Sequence, residues 1–138
     1  MIERTDLFQL GDFLLHSGAR SFFKLECDSL TDGDIACLAR LVRELIGPFK
    51  SVEGVHRGGL RLAAALQQYA EREGSHVIAD DVLTSGKSME EARVAYQASH
   101  PNRASVGVVI FARGRCPLWV RAMFQIPSGL WIKTGEGK

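Results

Sequence analysis

Apolar residues recur with a helical period between residues 31 and 46, which is the clearest pattern in the chain. They stand at positions i, i+3, i+7 and i+10 of one face: Ile35, Leu38, Val42 and Leu45. This spacing predicts a helix with one buried side. Thr31 or Asp32 is suited to cap its start, and Gly47-Pro48 is a typical helix end.

The segment before this helix has a mixed pattern. A short helix is expected over 5–10, where Gly11 would end it. Two strands are expected over 12–16 and 21–27, joined by a turn at 17–19. Residues 1–30 are therefore predicted to form a small α+β hood on the rest of the chain.

Strands and helices alternate after residue 50. The predicted strands are 51–55, 77–79, 104–112 and 119–126. One helix lies between the first two strands, and a second begins at Ser88, where Ser88 and Glu91 have the spacing of a capping box. The strand 104–112 is apolar at nearly every position, which is typical of a central strand buried on both faces. The glycine-rich tail after 126 is expected to fray, with docking of Trp131 on the body or on a partner subunit as the alternative.

The strand at 51–55, its helix and the strand at 77–79 form one βαβ unit, because only residues 71–75 connect the helix to the second strand. The two strands of such a unit are parallel, and the connection between them is right-handed. The loops that follow the two strands should then meet at the carboxyl edge of one sheet, where open α/β sheets bind ligands. The fold class is predicted as α/β, with a mainly parallel sheet of four to five strands flanked by helices.

Composition limits the classes of partner. The 138 residues are enough for a single domain, with the hood at 1–30 and the α/β core at 31–138. A formal net charge of +1 and scattered basic residues give no sign of nucleic-acid binding. Three widely spaced cysteines suit a reducing cytosol, and no apolar run approaches membrane length. We expect a cytoplasmic protein with no membrane partner.

The stretch VIADDVLTSGKS, residues 77–88, carries the candidate chemistry. The strand ends in Asp80 and Asp81, and the small polar loop 84–88 leads into the next helix. Backbone N–H groups of such a loop and the positive end of the helix dipole favour an anion. The two carboxylates can accept hydrogen bonds from hydroxyls or hold a hydrated cation.

Two other interpretations of this stretch stay open. Gly86-Lys87-Ser88 resembles the end of a Walker A loop, but Asp81 stands where that motif needs a glycine, and its carboxylate would repel phosphate. Alternatively the stretch is a strand-to-helix turn without a ligand, whose polar residues only cap the helix. Two adjacent acids at a strand end are costly unless something uses them, which favours a ligand.

A second glycine-rich turn follows the strand 51–55. It reads GVHRGG and leads into a helix, so it too could receive an anion at a helix N-terminus. Arg57 is either a ligand for that anion or a solvated turn residue.

Residues 77–88 resemble the phosphoribosyl-pyrophosphate (PRPP) motif of the type I phosphoribosyltransferases at nearly every position. The resemblance implies that Asp80 and Asp81 are the catalytic pair that lies against the ribose hydroxyls. It also implies a loop that wraps the 5′-phosphate, formed by Thr84, Ser85, Gly86, Lys87 and Ser88. The turn at 54–59 resembles the family's diphosphate loop, in which His56, Arg57 and Gly58 would take the leaving diphosphate.

Residues 11–28 resemble the amino-terminal region of orotate phosphoribosyltransferase. His16 stands where that family has a lysine that helps to hold PRPP. Lys24 lies near the position of an aromatic pair that packs on the base, and it is either a base ligand or a solvated strand residue. Arg113 stands at a strand end where the family has an arginine that contacts the orotate carboxylate, and a surface arginine is the alternative.

The resemblance implies transfer of a phosphoribosyl group from PRPP to a nitrogenous base, an orotate-like pyrimidine above all, with Mg²⁺ held by the diphosphate and water near Asp80 and Asp81. It also implies a homodimer. Family members carry a mobile catalytic loop between the helix after the diphosphate loop and the PRPP strand, and this sequence has no room for it. A non-catalytic PRPP- or nucleotide-binding regulatory module on the same fold is therefore the alternative.

Overall fold

A computed structural model describes residues 6–15, 18, 20–126 and 132–133. The predicted PRPP contact His16 lies outside the described residues. The strands, in chain order, are β1 (Phe8–Leu14), β2 (Arg20–Leu25), β3 (Phe49–Gly54), β4 (Ser75–Leu83), β5 (Ser105–Arg113), β6 (Val120–Ile126) and β7 (Ile132–Lys133). The α-helices are α1 (Asp32–Ile46), α2 (Leu60–Leu66) and α3 (Lys87–Ser99), and short 3₁₀ turns cover Cys27–Ser29 and Gln67–Tyr69.

The core is a four-stranded sheet in the order β3-β4-β5-β6, with every neighbouring pair parallel. Helices α1 and α2 pack on one face, and α3 lies on the other face against residues such as Ile78 and Val109. This confirms the predicted α/β class and the βαβ unit. Strand β5 is buried over most of its length, as its apolar sequence predicts.

Helix α1 forms as its sequence predicts. Thr31 and Asp34 make a complete capping box, in which the Thr31 hydroxyl accepts from the Asp34 N–H at 3.0 Å. Gly47 ends the helix with a φ of 75°, a conformation that favours glycine. The buried residues Ile35, Leu38 and Val42 lie on the predicted face.

The hood is a second sheet, antiparallel, in the order β1-β2-β7. The helix expected over 5–10 is wrong, because residues 8–10 already belong to β1 and pair with β2. The register shifts between Leu10 and Phe13, so Gly11 sits at an irregularity inside the strand and does not end a helix. The tail was expected to fray, yet residues 132–133 pair with β2 as β7. The first error concerns pairing within a hairpin, and the second concerns pairing with a strand near the other end of the chain.

The ends of two further elements differ from the prediction. Strand β4 continues through both aspartates to Leu83, because β5 supplies partners as far as Ala112. Helix α3 begins at Lys87, with Gly86 as its N-cap residue and no side-chain cap, so the capping box at Ser88 is wrong. Gly86 has a φ of 79°, which turns the chain into the helix before Ser88.

The connection between the 3₁₀ turn at Gln67–Tyr69 and β4 is a tight turn. Its Glu71 N–H donates to Phe49 O at 2.8 Å, which fastens it to the start of β3. Gly74 has a φ of 129°, and a Cβ at this position would lie 2.6 Å from Pro48 O. The structure therefore holds no long loop between α2 and β4. Among the described residues, no helix has the length and apolar character to span a bilayer.

A buried polar network joins β3, β4 and α3 on the α3 side of the sheet. His76 is only 5% exposed, and its Nδ1 lies 2.7 Å from Ser51 Oγ while its Nε2 lies 2.6 Å from Glu53 Oε2. Its ring stacks on Tyr96 at 3.6 Å between centroids, and Tyr96 in turn stacks on His100. Because both ring nitrogens have partners, the imidazole is accommodated inside an apolar interface.

We expect His76→Ala to lower the free energy of unfolding by about 2–4 kcal/mol, because it leaves a cavity under Tyr96 and removes the hydrogen-bond partner of Ser51 and Glu53. His100→Ala, on the exposed outer side of Tyr96, should cost less than about 1 kcal/mol. Urea unfolding followed by circular dichroism measures both values. Equal costs for the two variants would contradict the role assigned to the network.

Candidate functional site

The βαβ unit brings the two candidate loops into direct contact. Strand β3 pairs with β4 only as far as Gly54 opposite Ala79, and the Val55 N–H then donates to Ala79 O at 2.8 Å. Beyond that point β4 continues toward its aspartates while the chain after β3 folds over it. The predicted meeting of the two loops at one sheet edge is what the structure shows.

Glycines make this contact possible. A Cβ on Gly58 would collide with the Asp81 carboxylate, and one on Gly59 would collide with Ala79 O. A Cβ on Gly54 would lie 2.6 Å from Gly59 O, which is closer than real side chains come. The backbone of 54–59 therefore rests on β4 at a distance that only glycine permits. The peptide bond between His56 and Arg57 is cis, and both of these side chains are exposed.

The two aspartates lie half-buried at this contact. Asp80 Oδ1 accepts from the Asp81 N–H at 2.8 Å, and Asp81 Oδ1 accepts from the Val82 N–H at 2.7 Å. These bonds fix both carboxylates, and that of Asp81 lies against Gly58 of the loop. Burial, reinforced by the neighbouring Asp81 carboxylate, raises the pKa of Asp80 to about 7. Ionising both carboxylates in the folded protein therefore costs free energy, which is typical of a functional site.

The predicted phosphate loop lies between the end of β4 and the start of α3. Gly86 O accepts from the Glu90 N–H at 3.0 Å, and Ser85 Oγ accepts from the Lys87 N–H at 3.3 Å. Lys87 and Ser88 are exposed, and Thr84 is half-buried. The start of a 13-residue helix and an exposed lysine together suit an anion.

The end of the hood lies beside the aspartates. Burial raises the pKa of the Cys27 thiol to about 12, and the next largest cause is the charge of Asp81. Arg61, at the start of α2, holds this part of the hood in place by donating to Leu30 O at 2.9 Å and to Asp32 at 3.1 Å. Sequence reasoning missed Arg61, because its partners lie about 30 residues away.

The two predicted base-binding residues are separated by the structure. Arg113 is 5% exposed, and it donates to Ser21 Oγ and, at 3.1 Å, to Phe23 O. Burial lowers the pKa of Arg113. Lys24 lies on the opposite face of β2 from Ser21 and Phe23, and it pairs with Glu26 at 3.2 Å. Arg113 is therefore not the surface arginine of the alternative interpretation, and the two cations do not share one pocket wall.

Comparison with known proteins identifies the fold. No protein-family model matches the chain, and no curated protein matches its sequence. Leishmania donovani UMP synthase has a similar structure, with a TM-score of 0.65 and 18% identity over 87% of this chain and 34% of that one. This chain therefore spans about a third of the UMP synthase chain.

Two further solved structures cover most of their own chains. Orotate phosphoribosyltransferase from Francisella tularensis matches with a TM-score of 0.58 and 15% identity, over 86% of this chain and 80% of that one. Helicobacter pylori xanthine-guanine-hypoxanthine phosphoribosyltransferase matches with a TM-score of 0.53 and 18% identity, over 72% and 82%. The chain has a type I phosphoribosyltransferase-like fold.

Gly59→Ala tests the close contact between the loop and β4. We expect it to lower the free energy of unfolding by about 1–3 kcal/mol, because a backbone oxygen must move to admit the methyl group. Gly33→Ala, in the first turn of α1, is the control, since the nearest atom to an added Cβ is Thr31 Oγ1 at 3.7 Å. It should be neutral or stabilising by less than about 1 kcal/mol. Guanidinium unfolding measures the free energy of unfolding of both variants. An unchanged value for Gly59→Ala would contradict the close contact between the loop and β4.

Asp80→Asn tests the charge cost of the site. The folded state holds the Asp80 proton up to a pKa of about 7, whereas the ordinary value is 3.8, so wild-type stability falls as pH rises between these values. Asparagine removes this loss and keeps an oxygen for the Asp81 N–H. We expect the variant to gain about 1–3 kcal/mol relative to wild type above pH 7 and nothing below pH 4. Melting temperatures across this range measure the difference, and a constant difference would contradict the raised pKa.

Proposed function

We propose that this domain transfers a phosphoribosyl group from PRPP to a nitrogenous base, giving a nucleotide and diphosphate. The observation that carries the proposal is the contact between the loop 54–59 and the aspartate pair of β4, which makes one site from two separate motifs. The fold shared with two phosphoribosyltransferases and with UMP synthase supports it. From the sequence alone, an orotate-like pyrimidine is the first candidate for the base.

The arrangement suits this chemistry because little covalent participation is needed. Bond breaking at the ribose C1 would run ahead of bond making and leave positive charge on the sugar. Asp80 and Asp81 would hold the ribose hydroxyls and favour that charge. The loop 84–88 would anchor the 5′-phosphate, which supplies binding energy remote from the reacting carbon. His56, Arg57 and Gly58 would receive the diphosphate.

The residues present fit Mg²⁺ in a limited way. Carboxylate oxygens are the ligands that this ion prefers, and Asp80 and Asp81 provide them. Among the described residues, no group of three or more His, Cys, Asp or Glu side chains could hold a metal. By the resemblance, Mg²⁺ would take most of its ligands from diphosphate and water, and it would offset charge on the leaving group. The homodimer stays a prediction from the resemblance, and the cytoplasmic location stays a prediction from the cysteine pattern and the lack of a membrane-length apolar run.

A non-catalytic PRPP- or nucleotide-binding regulator is the second candidate. The tight turn between α2 and β4 favours it, because a mobile loop at that place would exclude water and supply charge as the diphosphate leaves. The intact aspartate pair favours the enzyme.

One experiment separates the two functions. The protein is incubated with PRPP, Mg²⁺ and a panel of orotate, uracil and purine bases, and nucleotides are measured by mass spectrometry. We expect product from at least one base. PRPP binding by calorimetry without product from any base would leave the regulator, and absence of both binding and product would reject both functions.

The site assignment has its own test. Asp80→Asn combined with Asp81→Asn should weaken PRPP binding at least about tenfold, because the bonds to the ribose hydroxyls lose their charge. Glu44→Gln combined with Glu73→Gln removes the same charge from exposed positions and should leave binding unchanged. If the aspartate variant binds PRPP as well as wild type, the site lies elsewhere.

A further inference from the structure

Arg61 stands at a position that is unfavourable for the helix to which it belongs. It is the second residue of α2, and a cation in the first turn of a helix opposes the positive end of the helix dipole. The same turn contains no acidic side chain that could offset this charge. The contacts that favour an arginine here therefore lie outside α2.

Those contacts are three oxygens at the junction of the hood and α1. Nη2 of Arg61 donates to Leu30 O at 2.9 Å and to Asp32 Oδ1 at 3.1 Å. Its Nη1 donates to Cys27 O at 3.4 Å. Cys27 begins the 3₁₀ turn that ends the hood, Leu30 caps that turn, and Asp32 begins α1. Because the fork of a guanidinium reaches several acceptors at once, Arg61 fastens the start of α2 to both neighbouring elements.

The start of α2 is also the end of the loop 54–59. Gly59 is the N-cap residue of α2, and its N–H donates to Val55 O at 2.9 Å. The Leu60 N–H donates to Arg57 O at 3.2 Å, so the loop continues directly into the first turn of the helix. Three glycines give the loop backbone more conformational freedom than other residues would. A displacement of the first turn of α2 would therefore move the loop away from β4, on which its glycines lie.

Apolar packing holds this end of α2 less firmly than the rest of the helix. Leu62 and Leu66 are buried in the core and hold the helix on the sheet, whereas Leu60 is 44% exposed. Residues 56–58 of the loop are exposed as well. The hydrogen bonds of Arg61 therefore supply an anchor next to the loop, where apolar packing is weak.

We propose that Arg61 is a positioning residue for the diphosphate half of the site, which fixes the loop 54–59 on β4 by fastening the first turn of α2 to the end of the hood. Both of its Nη atoms donate to the junction of the hood and α1, so the role assigned to it is position and not contact with the diphosphate. The inference rests on the proposed function, in which the loop 54–59 receives the diphosphate and the loop 84–88 anchors the 5′-phosphate. Loss of Arg61 should then weaken one half of the site and spare the other.

Amide hydrogen exchange tests the positioning without any ligand. Arg61→Ala should speed exchange of the Gly59 and Leu60 N–H groups at least about tenfold and leave the amides of α3 unchanged, because only the first turn of α2 is released. Arg40→Ala, at an exposed position of α1, is the control and should leave both sets of amides unchanged. Unchanged exchange at Gly59 and Leu60 in Arg61→Ala, or equal acceleration in α3, would overturn the inference.

Two probe ligands test the two halves of the site separately. Calorimetry with Mg²⁺ and inorganic diphosphate reports on the loop 54–59, and calorimetry with ribose 5-phosphate reports on the loop 84–88. We expect Arg61→Ala to weaken diphosphate binding at least about fivefold and to leave ribose 5-phosphate binding within about twofold of wild type. Equal loss of both ligands would overturn the inference. Melting temperatures confirm that each variant is folded under the assay conditions.

A lysine variant separates position from charge. Arg61→Lys keeps the positive charge but replaces the guanidinium fork by a single ammonium, which cannot hold all three oxygens in the same geometry. It should recover diphosphate affinity only in part, and full recovery would overturn the positioning role in favour of charge alone. If wild type binds neither probe ligand, the proposed function fails, and the exchange rates still decide whether Arg61 positions the loop.

Discussion

The packing of a bare backbone turn on β4 is the constraint on which the site depends. Gly58 lies against the Asp81 carboxylate and Gly59 against Ala79 O, so the turn after β3 can lie on β4 only while both positions lack a side chain. The parallel pairing of β3 with β4 stops at Gly54 and Ala79, which leaves β4 free to carry its aspartates past the end of its neighbour. The glycine-rich turn and the acid pair are thereby brought together by one structural feature, the early end of β3.

That geometry has an electrostatic consequence. Two adjacent carboxylates are held half-buried, with one oxygen of each bound to a backbone N–H. Burial raises the pKa of Asp80 to about 7, so the unliganded site stores unfavourable charge that a cation or a set of hydroxyls would relieve. Burial raises the pKa of the Cys27 thiol of the hood to about 12, and the charge of Asp81 is the next largest cause. Hood and sheet therefore share one local electrostatic environment, although they are separate sheets.

The sequence predicted correctly the elements whose form depends mainly on which of their own residues are buried. The period of α1, the apolar run of β5 and the βαβ unit all appear where the pattern placed them, because burial on one or two faces fixes the period. The errors lie where pairing with another strand determines the extent of an element. Residues 8–10 form a strand through pairing with β2, and β4 extends to Leu83 because β5 continues beside it. The engagement of Arg113 by Ser21, 92 residues away in sequence, leaves no local signal at all.

Arg113 also shows why a residue's position in a motif does not settle its role. The resemblance places an arginine at the end of β5, and the structure has one there, but its Nη2 donates to two oxygens of the hood. A guanidinium offers five donors in a fixed plane, so the bonds it makes to Ser21 and Phe23 restrict where its remaining donors can point. A guanidinium that donates to the hood has fewer N–H donors left to bind a carboxylate. In this chain Nη2 is engaged by the hood, whereas the guanidinium keeps its positive charge and its buried Nε has no hydrogen-bond partner among the described residues.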